Sequence, residues 1–346
     1  MAEEAPRFLV VGPSWVGDMV MAQSLFITLK RCYPAATIGV VAPPWSQPIL
    51  ARMAEVDAVH PLAVKHGEFG WKTRRVLARK LRGRYDRAIV LPRSWKSALV
   101  PFLARIPERV GFLGEQRYGL LNERRTLDRQ RLDQTVKRFV SLGLPDSPTG
   151  SGDFDCPAPQ LRIDSDNRAQ LRQRLGLSER PAIAMMPGAE YGPAKQWPLA
   201  YFHELAERLI DDGFAVRVVG GPGDHAAGDD IVGGLSHAHS AHAHNLCGAT
   251  SLVDAVDLLA DCEQAVTNDS GLMHVAAAVG TRVQAIYGSS TPDYTPPLTE
   301  NTRVHYLALS CSPCFQRVCP LGHTNCLWHL GVERLYQGIH QDQASV

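Results

Sequence analysis

Apolar positions along the chain fall into short runs that end in polar, glycine- or proline-bearing loops, and between the runs the apolar spacing widens to that of a helix. Phe8 to Val11 is the first run, and it is followed by a turn and then by Met19, Ala22, Leu25, Phe26 and Leu29 on one face of a predicted helix from Asp18 to Arg31. Further strands are expected at Thr37 to Val41 and Arg87 to Leu91. After a stretch rich in Pro, Gly, Ser and Asp from Leu144 to Pro159, the rhythm restarts. Strands are expected at Ala182 to Met186, Ala215 to Val219, Gln264 to Thr267 and Val283 to Tyr287, and helices at Asp166 to Leu175, Leu199 to Asp212, Leu252 to Ala260 and around Val275 to Val279. Alternation of this kind predicts parallel sheets with right-handed crossovers. The fold class is therefore α/β, with two Rossmann-like domains facing a cleft. The boundaries expected are 1–160 and 161–329, with a C-terminal helix at about 330–346 returning to the first domain.

Length agrees, since 346 residues exceed one ordinary core and suit two. The first residues, MAEEAPRFLVVG, carry neither a basic segment nor a long apolar run, so no secretory leader is expected. No stretch approaches the roughly 18 apolar residues of a membrane span. A cytoplasmic location follows as the expectation. The net charge of +1 hides an asymmetry: from Lys65 to Arg138 there are 20 Lys and Arg against 7 Asp and Glu. Such a half meets a polyanion or forms a solvated basic face. No nucleic-acid motif accompanies it, so an anionic lipid headgroup or phosphorylated glycan fits it as well as RNA does.

Ligands of open parallel sheets lie beyond the carboxyl ends of the strands, and four loops there carry chemistry. In Asn268-Asp269-Ser270-Gly271-Leu272-Met273-His274, the Ser270 and Gly271 amides open a helix and suit an anion. Asp269 can accept from sugar hydroxyls or simply cap the helix, and His274 sits one turn in. In Pro187-Gly188-Ala189-Glu190-Tyr191-Gly192-Pro193-Ala194-Lys195, the lysine can hold a phosphate as a point charge or lie exposed in a turn. Gly220-Gly221-Pro222-Gly223-Asp224 places an acid where nucleotide folds bind ribose, although the spacing is not that of a dinucleotide fingerprint. Gly12-Pro13-Ser14-Trp15-Val16-Gly17-Asp18 lacks the ending of a phosphate-binding P-loop. Its Asp18 either stabilises the helix start or serves as a general base.

Cysteines are eight. Cys32, Cys156, Cys247 and Cys262 are scattered and read as small buried hydrophobes. Cys311, Cys314, Cys319 and Cys326, with His323 among them, are spaced as a structural zinc or iron–sulfur site or as plain reduced thiols. The run SHAHSAHAHN reads as a solvated loop.

Together the loops resemble the ADP-heptose:lipopolysaccharide heptosyltransferases, the family-nine glycosyltransferases. PGAEYGPAKQWP and TNDSGLMHVAAAVGTRVQAIYGSSTPDYTPP carry the resemblance, which spans nearly the whole chain and is strongest toward the enzymes that add the second core heptose. It implies a GT-B fold, inversion at the anomeric carbon and no required cofactor. It implies Asp18 as catalytic base and Lys195 on the donor diphosphate. Asp224 would lie on the ribose, where the family often has Glu. Asp269 would lie near the heptose, with Ser270, Gly271 and His274 around the diphosphate, and Gly188 and Gly221 lining the donor. The implied partners are ADP-heptose, a heptosyl-Kdo-lipid A acceptor and the inner-membrane surface, met peripherally. Alternatives are a family member with another core acceptor, or a nucleotide-sugar-binding protein without transferase activity.

Overall fold

The computed structural model describes residues 5–64, 68–144 and 154–343, so most of the Leu144 to Pro159 connection lies outside the described residues. The chain divides into two units, 1–160 and 161–346.

The first unit is a six-stranded parallel sheet of order β3-β2-β1-β4-β5-β6. Its strands are β1 (Arg7–Val11), β2 (Thr37–Ala42), β3 (Ala58–Pro61), β4 (Arg87–Val90), β5 (Glu108–Phe112) and β6 (Glu123–Arg125). β1 pairs in register with both β2 and β4, Val10 opposite Val40 on one side and Ile89 on the other. A strand flanked on both edges and covered on both faces must be apolar throughout, and Phe8, Leu9, Val10 and Val11 are all buried. Leu77, Ala78 and Leu81, one face of the helix Trp71–Leu81, pack with Leu9, Val11 and Val90. The long helix Val16–Cys32 packs against the helix Thr135–Gly143, the last of this unit's helices.

The second unit repeats the plan. Its order is β12-β11-β10-β7-β8-β9, all parallel. The strands are β7 (Ala182–Met186), β8 (Ala215–Val218), β9 (Ala243–Asn245), β10 (Gln264–Asn268), β11 (Arg282–Ile286) and β12 (Thr302–His305). Counted within its own unit, each sheet runs 3-2-1-4-5-6, the doubly wound order. Phe202, Leu205 and Leu209 of the helix Leu199–Asp211 share one core with Ile183, Val216 and Val266. The C-terminal helix Val332–Gln343 puts Leu335 and Ile339 into this same second core.

Candidate active site

The loops at the carboxyl ends of β7, β8, β10 and β11 converge in the second unit. Asn268, fully buried at the end of β10, ties two of them together. Its side-chain amide donates to the Pro187 carbonyl at 2.6 Å, and its oxygen accepts from the Trp197 amide at 2.9 Å. Trp197 itself is fully buried and donates its indole N–H to the Leu330 carbonyl. The loop between Pro187 and Trp197 is thereby pinned at both ends.

That loop delivers Lys195 to Asp269. Nζ lies 2.5 Å from Oδ2, and Ser290 Oγ donates to the same oxygen at 2.5 Å. Asp269 is 6% exposed, so its charge is matched by partners rather than by water. It does not cap the following helix. Ser270 holds the N-cap position and the helix runs Gly271–Ala278, with Ser270 and Gly271 half-buried at its start. His274 is buried within electrostatic reach of both members of the ion pair. Burial pushes its imidazole down to about 4, against the pull of Asp269 and with the help of the Lys195 charge. The imidazole is therefore neutral at pH 7. Lys195 Nζ also sits 5.2 Å from the Tyr191 ring centroid, and the exposed Arg317 guanidinium lies 5.3 Å from the same centroid.

Asp224 lies between the ends of β7 and β8. Its Oδ2 accepts from the Gly221 amide at 2.9 Å. A Cβ at Gly188 would stand 2.6 Å from its carboxylate, and one at Gly220 2.7 Å, so glycine at both places is a requirement of close approach. Gly188, Gly221, Asp224, Lys195, Asp269, Ser270, Gly271 and His274 thus share one edge of one sheet. Ser290, Asn268, Tyr191 and Arg317 join them, and sequence reasoning had passed these over. Ser290 carried a signal, because it lies in the Gly288-Ser289-Ser290 loop that closes β11. Arg317 carried none, since it reaches the site from the cysteine-rich loop.

Asp18 belongs to the first unit. It stands in the first turn of the helix Val16–Cys32, half-buried, beyond the carboxyl end of β1. The N-cap of that helix is Trp15, without a side-chain cap, so an acid in this turn is favoured by the helix dipole.

The cysteine expectations change. Cys311, Cys314, Cys319 and Cys326 line one small cavity with His323. Among the described residues, however, no three His, Cys, Asp or Glu side chains are arranged as a metal-ligand group. The expected structural zinc or iron–sulfur centre therefore finds no support, and Cys326 stands on a short helix, Asn325–Trp328, beyond the loop that carries the other three. What the loop does show is backbone contact with the Lys195 loop: Ala194 N–H donates to the Arg317 carbonyl, and Tyr191 Oη to the Phe315 carbonyl. Cys247 and Cys262 are buried, with thiols pushed up to about 12 and about 11 by burial. Cys32, expected inside, is exposed, since it falls on the solvent side of the last turn of its helix. The histidine run is also more ordered than a solvated loop. His239 pairs with Asp211 at 2.8 Å, His242 meets Ser178 at 3.1 Å, and His244 lies in β9.

Two doubly wound parallel sheets, the second with a glycine-lined site of paired charges at its carboxyl edge, are the architecture of the GT-B class. Residues 74–325 match glycosyltransferase family 9 (heptosyltransferase), and the chain belongs to that family of glycosyltransferases. It is 44% identical over 340 residues to the lipopolysaccharide heptosyltransferase 2 of Salmonella typhimurium, a match covering 96% of this chain and 97% of that protein. With the Escherichia coli lipopolysaccharide heptosyltransferase 2 it shares 48% identity over 304 residues, covering 86% and 87%. The solved structure of the E. coli ADP-heptose LPS heptosyltransferase II matches with a TM-score of 0.82 at 43% identity, covering 96% of this chain and 99% of that one.

Proposed function

We propose that this chain moves L-glycero-D-manno-heptose from ADP-heptose to the first heptose of the lipopolysaccharide inner core, with inversion at the anomeric carbon. The observation that carries the reading is the near full-length identity with heptosyltransferase 2 proteins, 44% across 96% of the chain.

The steps use only groups of this chain. Asp224, beside Gly188 and Gly221, accepts from ribose hydroxyls. The Ser270 and Gly271 amides and Lys195 receive the diphosphate, and Asp269 accepts from heptose hydroxyls. Asp18 takes the proton from an acceptor hydroxyl, whose oxygen attacks the anomeric carbon as the bond to the diphosphate breaks and ADP departs. Negative charge grows on the leaving diphosphate, so cations and amides there act mainly in the transition state. His274, neutral at this pH, adds no charge and can donate a hydrogen bond. The acceptor is borne on a lipid, so the protein works at the inner-membrane surface without spanning it. No helix among the described residues is long and apolar enough to cross a membrane.

The test is ADP release from ADP-L-glycero-D-manno-heptose with three acceptors: Kdo-lipid A, the same acceptor bearing one heptose, and none. Release confined to the heptosylated acceptor is expected. Release with plain Kdo-lipid A would assign the first-heptose reaction instead, and silence in all three would withdraw the donor or acceptor.

A further inference from the structure

The first unit displays aromatic side chains where a folded domain ordinarily hides them. Trp71 stacks on Phe69 with ring centroids 5.9 Å apart and planes at 12°, and Phe69 stacks on Trp95 at 5.3 Å and 30°. Each of the three is 40–45% exposed. Phe69 and Trp71 follow the carboxyl end of β3 and Trp95 follows that of β4, so the stack crowns the sheet edge that also carries Asp18.

Two buried arginines hold this surface from beneath. Arg74 donates to the Phe69 carbonyl at 2.8 Å and to the Lys96 carbonyl at 3.0 Å. Arg117, 1% exposed, donates to the Pro92 carbonyl at 2.7 Å and to the Ser94 carbonyl at 3.2 Å. A buried guanidinium is tolerated only when fully hydrogen-bonded, and here two of them fix the loops that present the rings.

The helix Trp71–Leu81 continues the surface. Its inner face is Arg74, Leu77, Ala78 and Leu81, and its outer face carries Lys72, Arg75, Arg79 and Lys80. The helix contains no acidic residue, and among the described residues none of these four cations forms an ion pair. Interfacial tryptophans beside a basic helical face are the physical signature of contact with an anionic bilayer.

We propose that the Phe69–Trp71–Trp95 stack and the outer face of the helix Trp71–Leu81 dock this chain on an anionic phospholipid bilayer, the rings among the headgroups and the four cations on lipid phosphates. The proposal rests on the reading of a lipid-borne acceptor, because docking at this edge brings such an acceptor to the side of the sheet where Asp18 stands.

The experiment is co-sedimentation of the full chain with phosphatidylcholine vesicles, with and without phosphatidylglycerol, at low and high salt. Wild type should bind the phosphatidylglycerol vesicles and lose them as salt rises. Arg75→Gln combined with Arg79→Gln should weaken that binding roughly 25-fold, about fivefold for each cation. Trp71→Ala and Trp95→Ala should each weaken it about tenfold, and the loss should persist at high salt, because apolar burial is not screened. ADP release with a deacylated, lipid-free acceptor should be unchanged in every variant, which separates docking from misfolding. Equal binding of wild type to both vesicles, or variants that bind as wild type does, overturns the proposal. A Trp71→Ala variant that keeps vesicle binding but loses affinity for the lipid-free acceptor makes the rings a saccharide platform, and overturns it too. If wild type releases no ADP with any acceptor, the transfer reading fails while the vesicle result still judges the docking.

Discussion

At the scale of single residues, Asp18 and His274 make opposite demands on their surroundings. Asp18 must be charged to act as a base, and its half-exposed place in a helix's first turn suits that. Asp18→Asn is expected to lower turnover by about 10²–10⁴-fold, the usual effect of losing a general base. ADP affinity by calorimetry should stay as it was, and a collapse of ADP binding would move Asp18 into the donor site. His274, by contrast, is held neutral. An unfolded imidazole binds its proton near 6.5, whereas the folded one refuses it until about 4. The stability that depends on a neutral His274 is therefore complete above the unfolded value and drains away as the pH falls through this window. The effect is at most roughly 3 kcal/mol. His274→Gln should flatten the slope of urea-unfolding stability between those two values, and an unchanged slope would show that other groups set it.

At the scale of elements, caps and edges decide what forms and what could be foreseen. The helix Leu252–Ala260 opens with a reciprocal cap, in which Ser251 Oγ accepts from the Asp254 amide at 3.2 Å and Asp254 returns a carboxylate to the Ser251 amide at 3.0 Å. Ser251→Ala should lower unfolding free energy by about 1 kcal/mol and leave ADP release untouched; a drop in activity would mean that the cap helps shape the site. The inner strands β1, β2, β4, β7, β8, β10 and β11 were legible because burial on both faces makes them continuous apolar runs. The edge strands β3, β6, β9 and β12 were not. Glu123-Arg124-Arg125 drew no strand expectation and Ala243-His244-Asn245 read as part of a loop, since an edge strand is short and carries polar groups on its open side. β5 was missed for a related reason, its Glu108-Arg109 start masking the Val110-Gly111-Phe112 that is buried. The site followed the same logic. Loops closing central strands announced Lys195, Asp224 and Asp269, while Arg317 arrives from a segment whose cysteines suggested different chemistry.

At the scale of the molecule, the basic excess of the first half proves to be of two kinds. Arg74, Arg117 and Arg125 are buried and donate to backbone carbonyls, and Arg87 bridges Glu108 and Glu123. These are structural, and charge counting along the sequence cannot tell them from the solvent-facing cations of the helix Trp71–Leu81. Each unit also owns its apolar core: one cluster is built within residues 9–121 and another within 183–339. A fragment of residues 161–346 is therefore expected to melt cooperatively and to bind ADP. A non-cooperative melt with dye-binding apolar surface would show that its core needs the other half of the chain.

The strand order has a consequence for the making of the protein. In each sheet the strand synthesised first, β1 or β7, ends in the middle. β2 and β3 then add outward on one side and β4, β5 and β6 on the other, and β8 to β12 do the same. No strand ever has to be threaded between two neighbours that have already paired. As the ribosome releases the chain, every new strand meets an open edge, and the sheet can grow in the order in which its sequence is read.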